Sequence, residues 1–305
     1  MSTVKQDTRT RDILGTSALR PDGVAKVMGS FSFSSDMWAE NMLWGATLRS
    51  PHPYARIISI DTTAALLISG VSAVITAQDV PGKATYGLIS ADQPVFASDF
   101  VRYMGEPVAA VAADHPETCR RALAAIIVNY EVLTPVVDPE LAMLVTTEQI
   151  HPDGNLIRHQ KIICGDPHIS GDITVEGHYT IGMQDQAFLG LEAAMAFPDS
   201  GGNGVELHIA TQWLHEDRGQ IAACLKLPED NVRLVLGGVG GAFGAREDIS
   251  LQVHCCLLAL RTGRPIKMQY SREESFFGHV HRHPAQIWMK HHATQEGKIV
   301  KVESR

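Results

Sequence analysis

The chain has 305 residues, 45% of them hydrophobic, and a formal net charge of −8. That size supports one or two domains with real cores, and the acidic balance offers no basic footprint for nucleic acid. No apolar run approaches membrane-spanning length, the polar stretch 1–12 lacks a secretory signal's hydrophobic core, and five cysteines without C-x-x-C spacing point to reduced thiols in the cytoplasm.

Residues 1–18 read as a loose arm. Short strands then follow over 42–49, 55–60 and 71–75, with Ser50-Pro51-His52-Pro53 as a rigid turn. Residues 107–113 form a buried strand. Asp114-His115-Pro116-Glu117 reads as a helix start with Asp114 at the cap and Glu117 three residues on. That helix carries Ala122, Leu123 and Ile126 on one face and hands over to a strand at 128–132. Residues 139–171 form a connector rich in Pro, Gly and polar groups. Residues 173–179 and 205–209 alternate as strands, 216–227 is helical up to Pro228, and 231–236 is a further strand. A helix over 249–261 buries Ile249, Val253, Cys256, Leu257 and Leu260 and stops at Gly263 and Pro265. A strand over 266–270, a capping box at Ser271-Arg272-Glu273-Glu274 and a strand-like end over 297–305 complete the chain.

The densest chemistry lies at 237–247, Gly-Gly-Val-Gly-Gly-Ala-Phe-Gly-Ala-Arg-Glu, between the strand at 231–236 and the helix. A strand, glycine loop and helix bring backbone N–H groups and a helix N-terminus to an anionic or oxo-bearing ligand. Two nucleotide readings fail. Walker A needs Gly-Lys-Ser/Thr, which is absent, and the dinucleotide fingerprint would need glycine where Phe243 stands.

Gly240-Gly241-Ala242-Phe243-Gly244-Ala245-Arg246-Glu247, with Ala210-Thr211-Gln212 upstream, resembles the molybdenum hydroxylase family, the xanthine dehydrogenase and aldehyde oxidase group. Leu19-Arg20-Pro21-Asp22-Gly23, Leu48-Arg49-Ser50-Pro51-His52-Pro53 and Ile150-His151-Pro152-Asp153-Gly154-Asn155 add to the likeness, which is strongest toward bacterial xanthine dehydrogenases. The resemblance implies an α+β fold. An N-terminal a/b hammerhead domain over 19–138 is followed by the first part of a mixed α/β molybdopterin-binding domain over 172–305. It implies a molybdenum–molybdopterin cofactor (Mo-MCD or Mo-MPT), with FAD and [2Fe–2S] clusters on partner subunits, since this chain alone has no cysteine set for a cluster. It also implies oxidation of purines such as hypoxanthine and xanthine with water as the oxygen source. Aldehyde or carbon monoxide oxidation, or a non-catalytic fragment, are the alternatives.

Residue by residue, the resemblance gives Gln212 a hydrogen bond to a molybdenum oxo ligand and places Gly241 in the cofactor loop. It turns the Phe243 and Gly244 backbone amides toward the molybdenum centre. Gln212 and Phe243 thus contact molybdenum ligands without ligating the metal. Glu247 would contact the substrate ring. The family's catalytic glutamate falls beyond Arg305, so the resemblance makes this the N-terminal part of a longer protein, inactive alone, with a further chain as a candidate for the rest. Ala242, Ala245 and Arg246 depart from the commoner pattern, and alanine tolerates positive φ poorly. Plainer readings stand beside these. Gln212 can be an ordinary strand-end residue, Phe243–Gly244 a structural turn, and Glu247 a helix first-turn acid with Asp248 its equal. His279, His281 and His283 would share one face of a strand, but no fourth group or carboxylate is evident nearby, which favours a structural role.

Overall fold

A computed structural model describes residues 15, 17, 19–144 and 146–305, so the arm expected over 1–18 lies almost wholly outside the described residues. The first part contains helix α1 (Gly23–Val27), strands β1 (Leu43–Arg49) and β2 (Ala55–Asp61), helix α2 (Thr63–Leu66), and strand β3 (Val71–Thr76). The short strands β4 (Thr85–Tyr86), β5 (Gln93–Pro94) and β6 (Phe100–Val101) lead to β7 (Pro107–Ala113), helix α3 (Pro116–Ala125), strand β8 (Ile127–Val132) and helix α4 (Pro139–Ala142). The second part runs β9 (Ile173–Ile181), β10 (Ala193–Pro198), β11 (Val205–Ile209), helix α5 (Leu214–Leu225), β12 (Val232–Leu236) and helix α6 (Gln252–Thr262). It ends with β13 (Ile266–Gln269), helix α7 (Arg272–Gly278), β14 (Ala285–Ala293) and β15 (Ile299–Ser304).

One seven-stranded sheet, ordered β12-β11-β10-β13-β1-β7-β3, organises the molecule. The burial of β7 explains why. All seven of its residues are buried, which requires cover on both faces. Ala110 and Ala112 face the cluster containing α6, whereas Ala109 and Val111 face the one containing α3. Alanine's small side chain lets both helices close on the sheet. Helix α6 buries Val253, Cys255, Cys256, Leu258 and Ala259 almost completely. A helix apolar nearly all round belongs inside, so the single buried face expected from the sequence understates its burial. Helix α3 begins one residue later than expected. His115 is its cap, its Nδ1 accepting from the Glu117 amide at 3.1 Å.

The sheet crosses the expected domain boundary. Strands β1, β3 and β7 come from 19–138, and β10 to β13 from 172–305. They join where β1 and β13 run parallel, Leu43 opposite Ile266 and Gly45 opposite Met268. Gly45 must lack a side chain there, since a Cβ would lie 2.6 Å from Met268 Cγ. A buried cross-link lies close by. The Arg49 guanidinium donates to Glu274 at 2.9 Å and to the Gly105 carbonyl at 2.9 Å, and lies 4.7 Å from the Tyr270 ring centre. Smaller sheets, β15-β14-β9 and β6-β2-β8, flank this body. Between α4 and β9 the described residues form no helix or strand. Among the described residues no helix is long and apolar enough to cross a membrane.

Candidate cofactor site

Strands β11 and β12 are parallel neighbours, paired from Val205 with Val232 to Ile209 with Leu236, so they end on the same edge of the sheet. The carboxyl ends of such strands are where open sheets bind ligands. Here the two chain segments are tied together beyond the strands. The Gly237 amide donates to the Ile209 carbonyl at 2.8 Å, and the Gln212 amide to the Arg246 carbonyl at 2.9 Å. Thr211 Oγ1 donates to that same carbonyl at 3.3 Å. These bonds set Gln212 against Arg246, at the end of the turn that carries Gly241, Phe243, Gly244 and Glu247. The Gln212 side chain is exposed at this edge.

The turn itself is unusual in its backbone. Gly241 has φ +115°, Phe243 +51° and Gly244 +91°. Ala242 and Ala245 are not in the left-handed region, so the departures from glycine fall where the backbone is ordinary. The strain rests on Phe243 instead, at a cost of about 1–2 kcal/mol for an L-residue. Its ring is 78% exposed and no burial offsets that cost. Among the described residues, the amides of Gly241, Ala242, Phe243 and Gly244 donate to no protein acceptor. Gly241 and Ala242 are half-buried, where amides are usually paired, whereas Phe243 and Gly244 are exposed; together the four donors form a cradle open to oxygen ligands. Space in front of Gly244 is open. Behind the turn, Gly190 and Gly240 touch backbone to backbone. Gly190 N donates to Gly240 O at 2.9 Å, and a Cβ on either would lie 2.7 Å from the other's Cα. A cavity of about 250 Å³ adjoins this contact, lined by Phe33, Ser34, Leu189, Gly238 and Arg246.

Helix α6 begins only at Gln252. Two expectations change as a result. The donors of the site are the turn's own amides rather than a helix N-terminus, and Glu247 is not a first-turn acid. Glu247 is half-buried in the loop before α6. Asp248 beside it is raised above the usual carboxylate range, by burial first and by the Glu247 charge second. Asp217 on α5 is fully buried, and neither of its oxygens receives a well-aligned hydrogen bond among the described residues, although Thr211 and Gln252 lie close. Burial pushes its carboxyl up to about 6, against hydrogen bonding from Thr211 and Gln252 and helped by the charges of Asp248 and Glu216.

Arg246 is more than a variant of lysine here. It is 4% exposed, its guanidinium stacks 4.1 Å over the Phe188 ring and donates to the Gly190 carbonyl. A planar fork can stack and donate at once, which an ammonium cannot. Burial lowers its pKa, opposed by Glu192 at 3.9 Å. Sequence reasoning missed Glu192 and Asp185 altogether. Glu192 Oε1 is 2.9 Å from His279 Nδ1, and Asp185 Oδ2 is 3.0 Å from both His279 Nε2 and His281 Nε2. The two histidines follow α7 in extended chain outside any strand, and His283 does not join the group.

Residues 150–305 match the family model for the molybdopterin cofactor-binding domain, and residues 28–134 match that for the aldehyde oxidase and xanthine dehydrogenase a/b hammerhead domain. The chain is 36% identical over 287 residues to one chain of a probable xanthine dehydrogenase from Bacillus subtilis (strain 168), an alignment covering 93% of this chain and 38% of that protein. It is 36% identical over 294 residues to the nicotinate dehydrogenase large molybdopterin subunit of Eubacterium barkeri, covering 95% of this chain and 69% of that one. In structure it is similar to the aldehyde oxidoreductase of Desulfovibrio gigas, with a TM-score of 0.87 at 27% identity, over 93% of this chain and 33% of that one. The chain belongs to the aldehyde oxidase and xanthine dehydrogenase family of molybdenum hydroxylases, and it carries that family's hammerhead and molybdopterin-binding domains. The residues present fit such a cofactor. Four unpaired amides, the open approach at Gly244 and the exposed neutral amide of Gln212 make a donor set suited to oxygen ligands.

Proposed function

We propose that this chain is the molybdenum-binding part of a xanthine dehydrogenase-like hydroxylase. Its substrates are purines such as hypoxanthine and xanthine, oxidised at a ring carbon beside nitrogen, with water as the oxygen source. The observation that carries the reading is the convergence of the free amides of 241–244 with Gln212 at the ends of two parallel strands. When bound, a molybdopterin-held molybdenum centre supplies oxygen transfer and takes up an electron pair. The chain's residues hold and orient. Phe243 and Gly244 offer N–H donors that carry no charge, and Gln212 Nε2 offers another, so oxygen ligands can be steadied without being protonated. Gly241 keeps the loop backbone accessible at a φ of +115°. Glu247 can accept from a ring N–H when ionised, or donate to a ring nitrogen when protonated.

FAD and [2Fe–2S] clusters reside on partner subunits in this reading. The chain spans 38% of the length of its Bacillus subtilis relative. A second substrate is favoured by one observation. The alignment covers 69% of the large molybdopterin subunit of a nicotinate dehydrogenase, which makes a pyridine carboxylate the rival to a purine. The test is dye-linked oxidation by the purified complex with xanthine, hypoxanthine, nicotinate and an aromatic aldehyde in parallel. Turnover with either purine exceeding the others supports the reading. Turnover with nicotinate or the aldehyde alone overturns the purine assignment.

A further inference from the structure

The group around His279 has a feature that hydrogen bonding leaves unexplained. The His279 side chain is 2% exposed and Glu192 1% exposed. Asp185 Oδ2 and both Glu192 oxygens are buried and receive no aligned N–H or O–H among the described residues, although ring nitrogens lie 2.9–3.0 Å away. Buried oxygens of two carboxyl groups, Glu192 and the partly exposed Asp185, therefore crowd one imidazole, and Arg246, at 3.9 Å from Glu192, faces only one of them. Uncompensated buried charge is costly.

We propose that Asp185, His279 and His281 form a binding site for a divalent transition-metal ion of the zinc class, separate from the glycine turn. Their ligand atoms lie within 4.8 Å of one another. Metal bonds of about 2.0–2.2 Å set neighbouring ligand atoms about 3 Å apart, and both ring nitrogens stand 3.0 Å from the shared Asp185 oxygen. Glu192 on Nδ1 acts as the outer carboxylate that fixes the tautomer and leaves the Nε2 lone pair for the ion. Gln186 Oε1, 3.3 Å from His279 Nε2, is a further oxygen within reach. Two imidazole nitrogens with one carboxylate favour zinc-like ions over magnesium or calcium. An ion here would tie the chain after α7 to the 185–192 segment, whose Gly190 backs the glycine turn.

The test needs no molybdenum cofactor. The intact, metal-stripped chain is titrated with Zn²⁺ against a chromophoric chelator, and with Co²⁺ as a visible-absorbing probe. One equivalent should bind, with a Co²⁺ band in the visible. His281→Gln and Asp185→Asn should each weaken Zn²⁺ binding about tenfold or more, and Glu192→Gln about 10–100-fold. His178→Gln, at an exposed histidine elsewhere, should change nothing. Circular dichroism checks folding; should Glu192→Gln unfold, His281→Gln at the half-exposed position decides. No stoichiometric Zn²⁺ binding by the folded parent chain overturns the proposal. So does binding that survives in the His281→Gln, Asp185→Asn double variant.

Discussion

The glycine turn and the group around His279 both pack against the 185–192 segment and are made of different material. At the turn the donors are backbone amides, supplied by four consecutive residues and aimed by three positive φ angles. Around His279 the close contacts are between side chains, from positions 185, 192, 279 and 281, with Gln186 at 3.3 Å. A backbone site is sensitive to atoms added near it and indifferent to most charge changes. A side-chain site is the reverse.

That contrast can be broken by substitution. Gly240→Val, whose Cβ would lie 2.7 Å from Gly190 Cα, should cost about 3 kcal/mol in chemical denaturation and abolish cofactor loading in the complex. Asp185→Asn should leave loading intact. Equal loss in both variants would mean the two places are one site.

Next in size is an effect of pH beneath the turn. The turn's amides do not titrate, but Asp217 does, near 6 in the folded chain. A raised carboxyl pKa means the folded state binds more protons between the unfolded value and about 6. Its contribution is therefore fully present below the unfolded pKa and lost as pH rises through 6. Asp217→Asn should stabilise the chain by about 3 kcal/mol at pH 8 and give little or no gain at pH 4. His254 moves oppositely, since burial lowers its pKa to about 4. Parent and variant must therefore be compared at each pH by denaturant titration, and a difference independent of pH would refute the role given to Asp217.

Two smaller effects sharpen the backbone side of the comparison. Phe243→Gly relieves a left-handed residue whose ring buries little, so stability should rise by about 1 kcal/mol or less. A fall would mean the exposed ring makes a contact that stabilises the chain. Gln212→Ala, at an exposed side chain, should shift stability by no more than about 0.5 kcal/mol. Turnover of the complex should meanwhile drop about 10²-fold, the usual effect of removing one aimed donor. An unchanged rate would take Gln212 out of the site.

The same contrast explains what could be read in the sequence. Residues 107–113 and 205–209 were legible because uninterrupted apolar runs and alternation encode burial directly, and both form strands with those limits. The turn was legible because its glycines are so closely spaced. The placement of its strain was not, since nothing local says that Phe243 rather than Ala242 takes positive φ. The start of α6 at Gln252 was misplaced because Ile249 and Leu251 are buried in the loop itself, prolonging the apolar pattern upstream of the helix. Asp185 and Glu192 were invisible as partners of His279. They lie far away along the chain, and only the fold sets carboxylate against imidazole.

The parallel pairing of β1 with β13 has a consequence for how the molecule is made. Strand β1 leaves the ribosome early, and its neighbour arrives only after more than two hundred further residues have been synthesised. During that interval one edge of β1 has nothing to pair with, and open edges invite other chains. Slow, long-range closure of this kind lengthens exposure to aggregation. The biosynthetic weak point of the protein is thus the wait for Ile266, Lys267 and Met268. Slower translation between the two strands should raise its demand for chaperones.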